Sequence, residues 1–318
     1  MKKRIIFMGT PNFAAHILEN LLQNQSEIYD IIAVVSQPDR PIGRKRILTP
    51  TPVKSVATEY NIPIFQPEKI GEITPEITTL QPDLIITAAY GQFVPEKILT
   101  IPKHKCINIH GSLLPKYRGG APIHRAIING EQKTGITIMY MVKKMDAGDI
   151  LYQKELPILQ TDTLETMYDK LQELGAICLQ EMLPTFLNGE ITPIPQAIDQ
   201  VTYAPNIQRE ERKINWQNSA IEIFNHVRGL APVPTAYTTL QSDKTDVKIF
   251  EVEVIMSEKS TKEPGTIQKA TNKICYVATG DGVIALKNLQ LSGKKRQTIQ
   301  EVMNGAGIEI LAQNTKFE

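Results

Sequence analysis

The first half of the chain alternates between short apolar runs and amphipathic segments. Residues 4–8 are almost entirely apolar, and after a short turn the apolar side chains recur at helical spacing over 13–21. A second apolar run at 31–35 completes a strand–helix–strand unit, which predicts a parallel sheet. We expect Thr10 to cap the helix and Pro11 to take its first position.

Further runs predict the remaining strands of this sheet. They are buried or alternate with a period of two, and they cover 84–89, 106–110, 135–141 and 150–156. A helical pattern with one apolar face begins near residue 164 and ends at Asn188–Gly189. The pattern therefore predicts an α/β domain over 1–189, built on a Rossmann-like parallel sheet.

The pattern changes after this helix. Residues 190–209 lack periodicity and carry several prolines, which predicts a linker. Ser219 and Glu222 have the spacing of a capping box for a short helix. Short strand-like runs follow at 248–255, 265–267, 273–278 and 283–289. Several short strands in about a hundred residues predict a small OB-like β-barrel domain over 210–318.

Composition and charge narrow the class of protein. The 318 residues are 42% hydrophobic and 22% charged, and a net charge of +1 excludes a globally basic nucleic-acid binder. Three widely spaced cysteines without a CxxC pair favour reduced thiols. The apolar run 5–8 is too short for a signal peptide, and no stretch is long enough to span a membrane. We expect a cytoplasmic monomer with no membrane association and no obligate protein partner.

Candidate chemistry is concentrated at the end of the strand over 106–110. Asn108 and His110 are two residues apart, so their side chains share one face of that strand. Ligands of open α/β sheets bind at the carboxyl ends of the strands. A later turn offers two carboxylates, Asp146 and Asp149, and the residues alone leave open which of them acts.

A long basic loop lies between the second strand and the next helix. Residues 36–54 contain four prolines and the cluster Arg40, Arg44, Lys45 and Arg46. Such a cluster is either a solvated turn or a contact for the phosphates of a nucleic acid. The turn after the first strand has one glycine and no GxGxxG pattern, which argues against a nicotinamide enzyme.

Several of these segments resemble motifs of a known family, the folate-dependent formyltransferases. They are Gly9–Thr10–Pro11, Asn108–Ile109–His110, Ser112–Leu113–Leu114–Pro115, Tyr117–Arg118–Gly119 and Met145–Asp146–Ala147–Gly148–Asp149. The resemblance implies Asn108, His110 and Asp146 as catalytic residues, 10-formyltetrahydrofolate as formyl donor, and no metal. It also implies a folate pocket lined, largely through backbone groups, by Ala89, Tyr90, Gly91, Gln92 and by Ser112, Leu113, Leu114, Pro115.

Two later segments and the basic loop resemble the branch of this family that formylates methionyl initiator tRNA. The segments are Val227–Arg228–Gly229–Leu230 and Ser292–Gly293–Lys294–Lys295–Arg296. This likeness implies that Arg40, Arg44, Lys45 and Arg46 bind the acceptor arm and that the barrel domain binds tRNA. Two alternatives stay open: a formyltransferase of another amine, such as a nucleotide sugar or glycinamide ribonucleotide, and a noncatalytic RNA-binding protein.

Overall fold

The computed structural model describes residues 1–24, 27–43, 45–305 and 307–318. The strands are β1 (Lys3–Gly9), β2 (Tyr29–Val35), β3 (Arg40–Ile42), β4 (Ile47–Thr49), β5 (Ile64–Phe65), β6 (Leu84–Ala88), β7 (Cys106–His110), β8 (Lys133–Tyr140), β9 (Ile150–Pro157), β10 (Ala236–Thr239), β11 (Asp246–Val254), β12 (Ile267–Ala270), β13 (Cys275–Ala278), β14 (Val283–Gln290) and β15 (Gln297–Thr298). The helices are α1 (Asn12–Gln23), α2 (Pro52–Glu59), α3 (Thr74–Leu80), α4 (Glu96–Leu99), α5 (Pro122–Ile128), α6 (Leu164–Leu187), α7 (Ala220–Arg228), α8 (Ile299–Met303) and α9 (Gly307–Ile310).

The chain divides into two compact units. Unit 1 comprises Met1–Pro122, Lys133–Pro157 and Tyr168–Ala204, and unit 2 comprises Ile123–Gln132, Ile158–Met167 and Pro205–Glu318. The domain limits predicted from the sequence, 1–189 and 210–318 with a linker over 190–209, stay a prediction.

Unit 1 is built on a seven-stranded sheet in the order β5-β2-β1-β6-β7-β8-β9. The first five strands are parallel, whereas β8 and β9 run antiparallel to their neighbours. The predicted α/β domain is therefore confirmed, on a sheet that is mainly parallel but antiparallel at β8 and β9. Strands β1 and β6 are buried almost throughout, as expected for parallel strands covered on both faces. The carboxyl ends of β6 and β7 lie side by side, because Ala88 pairs with Ile109.

The turn between β1 and α1 differs from the expected one. Helix α1 begins at Asn12, with Pro11 as the capping residue, so the predictions that Thr10 caps the helix and that Pro11 takes its first position are wrong. The hydroxyl of Thr10 instead donates a 2.8 Å hydrogen bond to the carbonyl of Tyr90, beyond the end of β6. Glycine is required at position 9, since a Cβ there would lie 2.5 Å from the Cβ of Ala14 and 3.0 Å from the carbonyl oxygen of Ala88.

The basic segment over 36–54 contains a small hairpin that the sequence pattern did not predict. Strands β3 and β4 pair antiparallel, with Arg40 opposite Thr49 and Ile42 opposite Ile47. Each has three residues and exposes apolar side chains, so neither shows the buried alternation by which strands are recognised.

Unit 2 is an antiparallel sheet in the order β10-β11-β14-β13-β12, with β15 paired to β14. The C-terminal residues bond to both edges of this sheet: Phe317 bridges to Leu240 beyond β10, and Lys316 bridges to Thr266 before β12. The sheet therefore closes, as the predicted barrel requires. The capping box of Ser219 is confirmed at the start of α7.

Candidate active site

His110 ends strand β7 with its imidazole between a backbone carbonyl and a carboxylate. Its Nε2 atom lies 2.9 Å from the carbonyl oxygen of Tyr117, and its Nδ1 atom lies 3.8 Å from Oδ2 of Asp146. His110 is 6% exposed and Asp146 is half-buried. The structure thus brings together the histidine and the carboxylate identified in the sequence, whereas Asp149 is exposed.

The two neighbours of the imidazole determine its neutral tautomer. A carbonyl oxygen only accepts hydrogen bonds, so Nε2 of His110 carries the proton and donates it to Tyr117. Nδ1 keeps a lone pair on the side of Asp146. The distance of 3.8 Å is too long for a hydrogen bond, but it is short enough for the carboxylate to stabilise a positive charge. Nδ1 is therefore the atom that can take up a proton beside the carboxylate.

Asn108 is oriented by a buried threonine on the neighbouring strand. Thr87 of β6 pairs in register with Asn108, and its hydroxyl donates a 2.7 Å hydrogen bond to Oδ1 of the Asn108 amide. Thr87 is 2% exposed, so water does not compete for this bond, and the other acceptors within reach of the hydroxyl, the carbonyl of Ile107 and Sδ of Met141, are farther away at 3.2 Å. The Nδ2 group of Asn108 has no hydrogen-bond partner among the residues that the structure describes. A preoriented N–H donor of this kind suits stabilisation of a developing oxyanion.

Asp146 is held at its backbone and at its carboxylate. Its φ of +50° lies in the left-handed region, which residues other than glycine adopt uncommonly. Oδ2 of Asp146 accepts a 2.8 Å hydrogen bond from the backbone N–H of Gly119. Gly119 has φ +122°, and a Cβ there would lie 2.7 Å from the carbonyl oxygen of Ala204. Only a glycine therefore fits at the position that anchors the carboxylate.

The first predicted folate segment, which follows β7, is stabilised by its own contacts. Ser112 is fully buried, and its hydroxyl donates a 2.7 Å hydrogen bond to the carbonyl of Lys116. Leu114 is 3% exposed, whereas Leu113 and Pro115 are half-buried. The hydroxyl of Ser112 is thus engaged within the loop, and Leu113 and Pro115 are the side chains of this segment that a ligand can reach.

The second predicted folate segment follows β6. Ala89 and Gly91 have φ of +44° and +89°, so the backbone turns sharply there. Tyr90 is 4% exposed, and burial raises the pKa of its phenol to about 12. The amide of Gln92 accepts a 2.8 Å hydrogen bond from the backbone of Ile70. Within the described ranges, the backbone N–H groups of Gly91 and Gln92 have no acceptor.

The basic cluster lies on the β3–β4 hairpin. Arg40, Lys45 and Arg46 are exposed, and Arg40 forms a 2.6 Å ion pair with the exposed Glu68. Arg44 lies outside the described residues. A surface ion pair of this kind contributes little stability, so Arg40 can exchange its partner for a phosphate at low cost.

A hydrogen-bonded network fixes the base of this hairpin. The carboxylate of Asp39 accepts hydrogen bonds from Lys54 at 2.5 Å and from Gln66 at 2.7 Å, and these two bonds lower the pKa of Asp39. Gln66 also donates to the carbonyl of Gln37, whose side chain in turn donates to the carbonyl of Tyr90. The base of the hairpin is thereby linked to the segment that follows β6.

The sequence analysis missed two residues that contact the candidate catalytic groups. Thr87 is a polar residue inside the apolar run 84–89, and that irregularity was a usable signal. Gln196 donates hydrogen bonds to the backbone carbonyls of Asp146 and Gly148. It lies in the aperiodic stretch 190–209, where no local pattern marks it.

A metal-binding cluster and a membrane-spanning helix are both absent from the described part of the chain. No group of three or more histidine, cysteine, aspartate or glutamate residues is placed there to hold a metal ion. None of the helices in that part is both long enough and apolar enough to cross a membrane.

Comparison with known proteins gives matches along almost the whole chain. The family model for formyl transferase matches residues 2–183, and the model for the formyl transferase C-terminal domain matches residues 206–307. Methionyl-tRNA formyltransferase of Staphylococcus aureus strain MW2 is 51% identical over 95% of this chain and 96% of its own length.

Solved structures share the fold at low sequence identity. An N-formyltransferase from Helicobacter canadensis, in complex with folinic acid and dTDP-3-aminofucose, superposes with a TM-score of 0.65 at 21% identity, covering 90% of this chain and 99% of that chain. HypX from Aquifex aeolicus, in complex with tetrahydrofolic acid, gives a TM-score of 0.64 at 18% identity over 97% of this chain. This chain spans about half of HypX, 48% of its length. The family models and the full-length relative together show that the chain belongs to the formyl transferase family.

Proposed function

We propose that this protein transfers the formyl group of 10-formyltetrahydrofolate to the free amino group of methionyl initiator tRNA. The observation that carries the proposal is the position of His110 between the Tyr117 carbonyl and the Asp146 carboxylate, with the amide of Asn108 two residues earlier on β7. The full-length relative named methionyl-tRNA formyltransferase supports the choice of acceptor.

The three side chains supply what the reaction requires. The amino group attacks the formyl carbon, and Nδ2 of Asn108 donates a hydrogen bond to the formyl oxygen as it becomes negative. Nδ1 of His110 accepts the proton that the amine loses, and Asp146 stabilises the resulting imidazolium. The bond between the formyl carbon and N10 of the folate then breaks, and N10 takes up the proton from His110. The new amide bond and the protonated leaving nitrogen balance the reaction.

Two segments provide the folate contacts in this proposal. The free backbone N–H groups of Gly91 and Gln92 face the pterin, and Leu113 and Pro115 supply apolar contacts on the neighbouring strand end. Both segments follow adjacent strands, β6 and β7, at the edge where ligands of α/β sheets bind.

The hairpin β3–β4 supplies the tRNA contacts. Phosphates of the acceptor arm bind to four basic side chains, Arg40, Arg44, Lys45 and Arg46. The barrel of unit 2 adds a second tRNA surface. We place the protein in the cytoplasm, because Cys106, Cys178 and Cys275 are free thiols that match a reducing compartment. We expect a monomer with no obligate protein partner.

The test combines the purified protein with 10-formyltetrahydrofolate and charged methionyl initiator tRNA and measures N-formylmethionyl-tRNA. Uncharged tRNA, free methionine and an amino sugar nucleotide serve as parallel acceptors. Formylation of the charged tRNA alone supports the proposal. Consumption of the donor with another amine would reassign the acceptor, and no consumption with any amine would contradict the catalytic assignment.

A further inference from the structure

We propose that Gln196 is a positioning residue that holds the Asp146 turn in place for catalysis, with Arg118 fixing its orientation. The inference rests on the role of Asp146 in the proposed formyl transfer. Gln196 belongs to the stretch without periodicity, yet it is only 8% exposed within unit 1.

The side-chain amide of Gln196 uses both of its donors and accepts two hydrogen bonds. Nε2 donates to the carbonyl oxygen of Asp146 at 2.9 Å and to that of Gly148 at 2.7 Å. Oε1 accepts from Nε of Arg118 at 3.0 Å and from Nη2 at 2.7 Å. A flipped amide would place its oxygen against two carbonyls and its NH₂ group against a guanidinium. Because every contact would then be repulsive, the orientation is unique.

The turn that Gln196 holds has little freedom of its own. Asp146 has φ +50°, an uncommon conformation for a residue with a side chain. Gly148 is so close to the carbonyl oxygen of Tyr140 that no Cβ could fit between them. Gln196 binds the backbone carbonyls of these same two residues, Asp146 and Gly148. Its amide therefore bridges the turn and fixes the position of the Asp146 side chain.

Arg118 connects the Gln196 amide to the loop that contacts the His110 imidazole. It is 5% exposed, and its two chain neighbours contact the catalytic groups directly. The carbonyl of Tyr117 accepts from Nε2 of His110, and the N–H of Gly119 donates to the carboxylate of Asp146. A displacement of Arg118 would therefore change the separation of His110 and Asp146.

The segment around Thr202 in turn holds Arg118. The backbone N–H of Arg118 donates to the carbonyl of Thr202 at 2.9 Å, and the N–H of Ala204 donates to the carbonyl of Arg118 at 2.7 Å. Residues 196–204 thus form a segment, here called the strap, that is hydrogen-bonded to the loop after β7 that contains Arg118. Its effect on catalysis passes through Asp146, which predicts a change in kcat rather than in substrate binding.

The first variant is Gln196→Glu. The carboxylate still pairs with Arg118, but it loses both donors to the turn and repels the two carbonyls. We expect kcat to fall roughly tenfold to a hundredfold, as small displacements of catalytic groups do, with KM for folate and for tRNA within about twofold of normal. The matched control is Gln200→Glu, the same change at an exposed position of the same strap, and we expect normal kinetics from it.

The second measurement is a double-mutant cycle with Asp146→Ala. If Gln196 acts through Asp146, adding Gln196→Glu to the Asp146→Ala background changes kcat less than about twofold. If Gln196→Glu fails to fold, Arg118→Lys replaces it in the same cycle, because lysine supports the amide oxygen with one contact instead of two.

The outcomes separate this inference from the proposed function. Normal kcat in Gln196→Glu, an equal loss in Gln200→Glu, or an additive loss with Asp146→Ala would overturn the role of Gln196 alone. An inactive wild-type protein would instead overturn the proposed function, and a fully active Asp146→Ala variant would overturn the catalytic role of Asp146 and the role of Gln196 with it. A fall in kcat that disappears without Asp146 supports the proposal.

Discussion

Replacing Thr87 by valine tests whether the orientation of Asn108 matters for catalysis. Valine has nearly the shape of threonine, so the packing of the fully buried strand β6 is retained. The change removes the hydroxyl that donates a 2.7 Å hydrogen bond to Oδ1 of Asn108. Without that bond, the Asn108 amide can turn its oxygen toward the formyl oxygen, where it would repel the developing charge.

The geometry bounds the size of the effect. A neutral hydrogen bond contributes about 0.5–1.5 kcal/mol, so its loss lowers the fraction of correctly oriented Asn108 and reduces kcat roughly twofold to tenfold. Complete removal of the donor in Asn108→Ala sets the upper limit, because the loss of one oxyanion donor typically costs on the order of a hundredfold to a thousandfold. The kcat of Thr87→Val should therefore lie between those of the wild-type protein and Asn108→Ala.

The assay is the initial rate of N-formylmethionyl-tRNA formation with both substrates saturating. Thr87→Ser, which keeps the hydroxyl, serves as the control and should retain nearly normal kcat. In the Asn108→Ala background, Thr87→Val should cause no further loss, since the group that it orients is gone. If Thr87→Val reduced kcat equally in both backgrounds, the hydroxyl would act independently of Asn108 and the reasoning would be wrong.

Three further changes test the site and its surroundings. We expect His110→Ala to reduce kcat about a hundredfold or more, because it removes the proton acceptor, and near-normal turnover would contradict the mechanism. Changing Arg44, Lys45 and Arg46 to alanine should weaken use of charged tRNA and flatten the salt dependence of its KM, and an unchanged salt slope would exclude phosphate contacts. Burial, with a smaller effect of a neighbouring arginine, lowers the pKa of His124 from 6.5 to about 4. As the pH falls below 6.5, the unfolded chain therefore binds a proton before the folded chain does. The free energy of unfolding should fall by up to about 2 kcal/mol between pH 7.5 and 5.0. In urea titrations, His124→Gln should remove this part of the pH dependence.

Local patterns were sufficient for most of the first unit. The apolar runs at 4–8, 31–35 and 84–89 became β1, β2 and β6, because parallel strands buried on both faces must be apolar along their length. The predicted cap at Thr10 failed because its hydroxyl bonds to the carbonyl of Tyr90, a partner 80 positions away. Such a contact leaves no trace in the local sequence.

In the barrel as well, the local sequence does not reveal contacts between distant residues. Strands β11, β13 and β14 followed from the short strand-like runs, but the contacts that close the sheet come from the last residues of the chain. Phe317 bonds at one edge and Lys316 at the other, and neither lies in a periodic segment. Closure depends on how the two edges meet in space.

The sequence by itself determined which residue types are available for the site: an amide at Asn108, an imidazole at His110 and a carboxylate in a later turn, at Asp146 or Asp149. The tertiary structure decided their states. The Tyr117 carbonyl sets the tautomer of His110, and Thr87 on the adjacent strand sets the orientation of Asn108. These properties depend on hydrogen bonds between segments that folding brings together, and periodicity within one segment carries no information about them.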